Sequence, residues 1–188
     1  GQNTQFFRQA QDSAIITEKH LFWLNLTNKL GVFKQILIGY VTGATNDSDN
    51  SFDSKTWDRN PYVNFYSINS DANLSIQGRA LPFDNTDVVA LGYRATIGGT
   101  FSIAIDQVDG LFTTQNIYLE DKVKNEYHNL KEGSYTFSTF SGTFNNRFVV
   151  HYSIPTSNSN LFSTNKIVVS VGDNQIQVKS SKQKIQKV

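Results

Sequence analysis

LEDKVKNEYHNLKEGSYTFSTFSGTFNNRFVVHY, residues 119–152, is the stretch whose reading decides the fold. Within it Tyr135, Phe137 and Thr139 alternate with Thr136, Ser138 and Phe140, and Phe148, Val150 and Tyr152 alternate with Val149 and His151. Successive side chains of an extended chain point to opposite faces, so this spacing collects rings on one face, as in strands packed on a core. KEGS (131–134) provides a turn before Tyr135, and the whole stretch reads as strand, turn, strand, turn, strand.

The same period recurs upstream. In LFWLNLTN (21–28), Phe22, Leu24 and Leu26 fall on one side and Trp23, Asn25 and Thr27 on the other. Further runs are expected over 35–42, 62–68, 74–80, 88–96, 100–106, 116–121, 124–129, 134–140 and 147–153, separated by turn residues such as Gly98-Gly99 and Asp109-Gly110. About ten short β-rich runs at this spacing predict an all-β chain, an antiparallel, jelly-roll-like β-sandwich with an extra C-terminal hairpin. Residues 1–19 are Gln-rich, show neither period and read as a tether or arm; 20–154 form the sandwich; 155–166 lose apolar density and read as a linker. KIVVSVGDNQIQVKS (166–180) reads as a hairpin that either docks on the sandwich or begins another sheet domain.

Composition narrows the function classes. The 188 residues are 38% apolar, with 14 Phe and 8 Tyr, enough for one core built largely of rings. Seventeen basic residues against sixteen acidic ones leave a net charge of +1, which gives no global field for nucleic acid. Only the last ten residues are locally basic, through Lys179, Lys182, Lys184 and Lys187, and they read as a solvated strand face. With no Cys, disulfides, thiol catalysis and thiolate metal sites are excluded. No apolar run approaches the ~20 residues of a membrane-spanning helix. A chain opening on Gly1 and lacking Met reads as a mature or excised fragment.

TNDSDNSFDSKTWDRN (45–60) gathers Asp47, Asp49, Asp53 and Asp58, and a hard cation such as Ca²⁺ would relieve their mutual repulsion. Phe52 stands where a helix-loop-helix calcium loop needs Gly, so any calcium site here is of a non-standard kind; the alternative is a solvated polar loop. Trp57, with Tyr62, is the candidate sugar-stacking surface, and Trp23 and Tyr66 extend the possible platform. His20, His128 and His151 follow no metal spacing. No G-x-S-x-G elbow and no phosphate-binding loop occurs. Of the carboxylate pairs that could serve a glycosidase, Glu120 and Asp121 should point to opposite faces, and Asp84 and Asp87 flank an ordinary turn. These readings favour a non-catalytic module without a cofactor. Asp12-Ser13-Ala14 matches a short O-glycosylation pattern of Bacteroidota.

IQGRALPF, LGYRAT, IYLEDK and GTFNNRFVVHY, with FWLNLTN and GYVTGAT upstream, resemble a module that recurs near the C-terminus of large secreted proteins of Flavobacterium and relatives. The resemblance covers about residues 20–154. In those proteins the module precedes a C-terminal sorting domain read by the type IX secretion system, and residues 167–188 resemble the start of such a domain, cut short at Val188. The resemblance implies export across the outer membrane and an extracellular or cell-surface location. It also implies the type IX machinery as a partner; in the relatives the enzymatic or adhesive parts generally precede this module. The leading expectation is a structural or interaction module of a surface protein such as an adhesin, meeting surface glycans or neighbouring surface proteins, and the alternative is a carbohydrate-binding module using the 45–60 loop with or without Ca²⁺. The resemblance supplies no catalytic residues.

Overall fold

The computed structural model describes residues 17–57, 60–154, 167–172 and 175–180. The chain divides into two compact units, Gly1–Ser153 and Ile154–Val188. In the first, period-two segments become β1 (Lys19–Asn28), β2 (Phe33–Val41), β3 (Ser54–Lys55), β4 (Val63–Asn69), β5 (Ala72–Arg79), β6 (Val88–Ala95) and β7 (Gly99–Val108). They continue as β8 (Tyr118–Asp121), β9 (Glu126–Asn129), β10 (Tyr135–Thr139) and β11 (Gly142–His151). Every strand expected from alternation is present within a few residues. One 3-10 turn, Gly110–Thr113, and the short β3 had no period to announce them. In the second unit β12 (Ile167–Gly172) and β13 (Gln175–Ser180) pair antiparallel as the expected hairpin, with Val169 opposite Val178. The expected linker and residues 181–188 lie outside the described residues, as do residues 1–16 of the expected tether. Among the described residues no helix is long and apolar enough to cross a membrane.

The eleven strands of the first unit form one sheet in the order β10-β7-β1-β2-β5-β4-β6-β11-β8-β9, with β3 on β5. It curls nearly into a barrel around a single core. The expectation of purely antiparallel pairing fails at one joint, where β2 and β5 run parallel with Leu37 beside Ile76 and Tyr40 beside Arg79. Parallel neighbours need a long crossover, and the chain from Thr42 to Asp71, which includes β3 and β4, is that crossover. β5 changes partners along its length, since Ala72, Asn73 and Leu74 pair with β4 and residues from Ile76 to Arg79 pair with β2. Such a switch is how a sheet turns a corner.

Inside the curl lie Phe22, Leu24 and Leu26 of β1, Ile36, Ile38 and Tyr40 of β2, Phe101 and Ile103 of β7, and Phe148 and Val150 of β11, all buried. Rings meet there: Phe137 of β10 and Phe148 of β11, from distant stretches of the path, pack edge to face at 4.7 Å, and Phe112 of the 3-10 turn packs edge to face on Phe22 of β1 at 4.7 Å.

The two ends of the path come together through side chains. Asp121 is fully buried, and its carboxylate accepts from Tyr135 Oη at 2.9 Å and from Arg147 Nη2 at 2.8 Å, with Arg147 Nε at 3.1 Å. Arg147 Nη1 donates to the Ser138 carbonyl at 3.0 Å, and the guanidinium lies 4.7 Å from the Phe137 ring centre and 4.9 Å from that of Phe148. Tyr93 and Thr139 share a hydroxyl hydrogen bond beside it. This seam therefore ties β8 and β11 to β10 without a backbone ladder. Burial, the largest single influence on Asp121, opposes its charge; the hydrogen bonds of Arg147 and Tyr135 and the Arg147 charge outweigh it and hold the carboxyl below its ordinary value.

Truncating one partner of a buried pair strands the other charge. Arg147→Ala should therefore lower unfolding free energy by about 3–5 kcal/mol in urea titrations. A carboxyl depressed by folding adds stability above its ordinary value, about 3.9, and loses it as pH falls through the lower folded value. Asp121→Asn should accordingly flatten the stability-against-pH curve below about pH 4, while the parent protein keeps its slope there.

Candidate functional site

The outward positions of β4, β6 and β11 follow from the core positions beside them. With Val63, Phe65 and Ser67 turned to the core, Asn64 and Tyr66 lie on the other side of β4, where neighbouring groups cover them to 3% and 2% exposure; with Tyr93 and Ala95 inward, Arg94 is half-buried on that same side. Together with Thr143 at the start of β11, Lys55 and Thr56 at β3, and Asp71, Ala72 and Asn73 at the turn into β5, they line an open cleft of about 410 Å³. Its walls are held by hydrogen bonds. Thr56 Oγ1 donates to Asn64 Oδ1 at 3.0 Å, Tyr66 Oη to Asn145 Oδ1 at 2.8 Å, and Arg94 Nη2 to the Asn60 carbonyl at 3.0 Å. The Tyr66 ring crosses Gly92, where a Cβ would stand 2.3 Å from Cε2, so the glycine of LGYRAT lets the ring lie flat on the sheet. Trp57 follows Thr56 in the chain and is 69% exposed. The result is an open polar trough braced by hydrogen bonds, suited to a ligand that offers many hydroxyls.

Among the described lining residues Asp71 is the one carboxylate. Glycoside hydrolysis in its usual form needs two. The other carboxylates considered are engaged elsewhere. Glu120 and Asp121 do point to opposite faces: Asp121 sits in the seam, and Glu120 bonds His151 Nε2 at 2.9 Å. Asp84 caps its own turn through Thr86, which holds its carboxyl below the ordinary range. Asp87 accepts a bidentate pair from Arg79 and a 2.6 Å hydrogen bond from Tyr40 Oη. Burial first, with Tyr152 and Asp87 adding to it, pushes the Tyr40 phenol far above its ordinary range, so Tyr40 remains a donor. An open polar groove of about 450 Å³ runs beside this cluster, lined by Tyr40, Asn46, Pro82, Asp84, Thr86 and Asp87.

In the acidic loop Asp49 and Asp53 accept from backbone N–H groups. Asp53 spends one oxygen on the Gly78 N–H at 2.9 Å and the other on the Asp49 N–H at 3.0 Å, and Asp49 Oδ1 takes the Ser51 N–H at 2.9 Å. Asn46 Oδ1 accepts from Ala80 N at 2.9 Å, and Phe52 lies on Gly78, where a Cβ would come 2.4 Å from its own. Asp47 is exposed, and Asp58 lies outside the described residues. Among the described residues no three His, Asp or Glu side chains form a group able to hold a metal. The loop is thus a clamp on β5.

Tyr62 is exposed but borders a separate hollow with Leu30, Phe33 and Ile97, so the structure does not bring it into the cleft that Tyr66 lines. Trp23 is half-buried on the outer face of β1, opposite Leu37. His20 accepts from Leu111 N through Nδ1 and pairs with Glu18, and His128 bonds the Gly133 carbonyl. Lys55, Asn64, Asn73, Arg94 and Thr143 escaped the sequence reading because they come from separate segments with no local motif. Their one signal was the polar phase of strands whose other phase is apolar.

Fold and cleft define a class: an all-β domain whose single curled sheet carries an open polar trough on its outer face. The chain belongs to the family described as domain of unknown function (DUF8693), whose model matches residues 1–152. No curated protein and no solved structure matches it.

If Asp53 is a structural clamp, Asp53→Ala should lower unfolding free energy by about 1–3 kcal/mol. Millimolar Ca²⁺ should leave the thermal midpoint of the parent protein unmoved; a rise in midpoint with Ca²⁺ would restore the cation reading.

Proposed function

We propose that residues 20–154 are a non-catalytic binding module of an exported protein, and that the trough beside Trp57 takes a hydroxyl-rich ligand, a surface glycan. The observation that carries this reading is the trough itself: polar side chains from β3, β5, β6 and β11 line one open cleft over the covered Asn64 and Tyr66 of β4, and Trp57, the residue after its lining residue Thr56, is exposed. Saccharides present both a polar rim and apolar ring faces, and an aromatic side chain can pack on the latter. The calcium-dependent form of this reading would place Ca²⁺ in the 45–60 loop, where Asp53 already serves two backbone donors.

The extracellular part of the proposal rests on the resemblance to flavobacterial secreted proteins. On that reading β12 and β13 are the first strands of a type IX sorting domain, the secretion machinery is a partner, and the module sits in a surface protein such as an adhesin. The curled sheet is then a jelly-roll-like sandwich, with the β10-β7-β1-β2 stretch facing the β4-β6-β11-β8 stretch. The Phe137–Phe148 and Tyr93–Phe137 ring contacts across the core support that description.

Glycan-array screening should return specific hits that weaken about tenfold or more in Trp57→Ala and in Asn73→Ala, both at exposed positions; the loss of one stacked ring is of that order. Array binding unchanged in both variants would remove the trough as the site. Deleting 167–188 from the parent protein should abolish its surface display.

A further inference from the structure

One end of the curled sheet gathers loop-tip side chains that neither the core nor the polar trough uses. Leu30 and Phe33, around the β1–β2 turn, are 81% and 53% exposed, Tyr62 ahead of β4 is 55% exposed, and Phe140 between β10 and β11 is 86% exposed. Leu30, Phe33 and Tyr62 border, with Ile97, a hollow of about 450 Å³. Gly98, the next residue after Ile97, abuts the backbone of Phe140. Segments far apart in sequence thus put large apolar groups at one end, around three separate connections between strands.

The charges around them have one sign. In 28–34, 60–62, 96–100 and 139–143 the only charged residues are Lys29 and Lys34. Asp58 and Arg59, outside the described residues, cancel each other in charge. With a net charge of +1 for the chain, any attraction for an anionic surface has to be local, and this end supplies it.

We propose that this end docks on an anionic lipid bilayer, with Leu30, Phe33, Tyr62 and Phe140 entering the interfacial layer while Lys29 and Lys34 meet the headgroups. Separate apolar tips need no complementary rigid shape when the medium is fluid, and a Tyr ring is at home at the boundary between headgroups and acyl chains. Lysines beside them gain from anionic headgroups and can reach these on their flexible stems.

The test is sedimentation of the full chain with vesicles of phosphatidylcholine alone or with a quarter phosphatidylglycerol. The parent protein should bind the anionic vesicles, more weakly as salt rises. The double variant Leu30→Ser with Phe140→Ser should bind about tenfold more weakly or worse, with an unchanged thermal midpoint because both positions are exposed. Lys29→Glu with Lys34→Glu should lose the preference for anionic vesicles. Equal binding by the apolar double variant would assign attachment to Lys179, Lys182, Lys184 and Lys187 instead, and would overturn the proposal. So would failure to bind anionic vesicles, or a concentration-dependent dimer that the double variant abolishes, which would make the occupant a second copy.

Discussion

A sheet that curls on itself must do something with its two ends, and here the meeting is made by a buried carboxylate. Asp121 points inward from β8 and is reached by Tyr135 from β10 and by Arg147 from β11. A charge without water is tolerable only when its lone pairs are filled by charged or strongly polar donors. The Arg147 fork, with Nη1 on the Ser138 carbonyl and its guanidinium against Phe137 and Phe148, meets that condition. The core is thereby sealed on the side where the backbone ladder stops, and the inward registers of β8, β10 and β11 are set relative to one another.

A second Arg–Asp pair braces the region where the path turns its corner. Arg79 lies at the end of β5, where that strand has moved from β4 to β2, and it holds Asp87 just ahead of β6, with Tyr40 of β2 donating to the same carboxylate. Three members of these pairs are motif residues: Arg79 in IQGRALPF, Asp121 in IYLEDK and Arg147 in GTFNNRFVVHY. In this chain those residues carry architecture: Arg79, Asp121 and Arg147 are buried in ion pairs, and Gly78 makes room for Phe52. The open polar cleft is lined by other residues, among them Thr143 of β11 and Arg94 of β6.

The trough and the apolar end differ in the physics they offer. The trough presents fixed donors and acceptors on strands braced by neighbouring hydrogen bonds, which favours a ligand with directional polar groups. The turn tips present isolated apolar side chains and lysines, which favours a partner that adapts its shape.

Alternation of rings and polar residues determined the all-β class, nearly every strand and the inward set, because strand periodicity is local and the rings can satisfy it only by facing a core. Phe101, Ile103, Phe148 and Val150 are all buried as their phase requires. Only the tertiary structure decided the parallel β2–β5 joint, which depends on a crossover that no local pattern encodes. The same holds for Arg147: the register between β11 and β6 shifts between Phe144 and Phe148, and the bulge there lets the guanidinium reach Asp121 next to inward-facing Phe148. The acidic loop, legible as clustered charge, became a clamp because backbone N–H groups of β5 and of the loop itself stood within reach of Asp53. The polar trough and the apolar end were illegible for one reason, that their members come from distant segments and meet only when the sheet has curled.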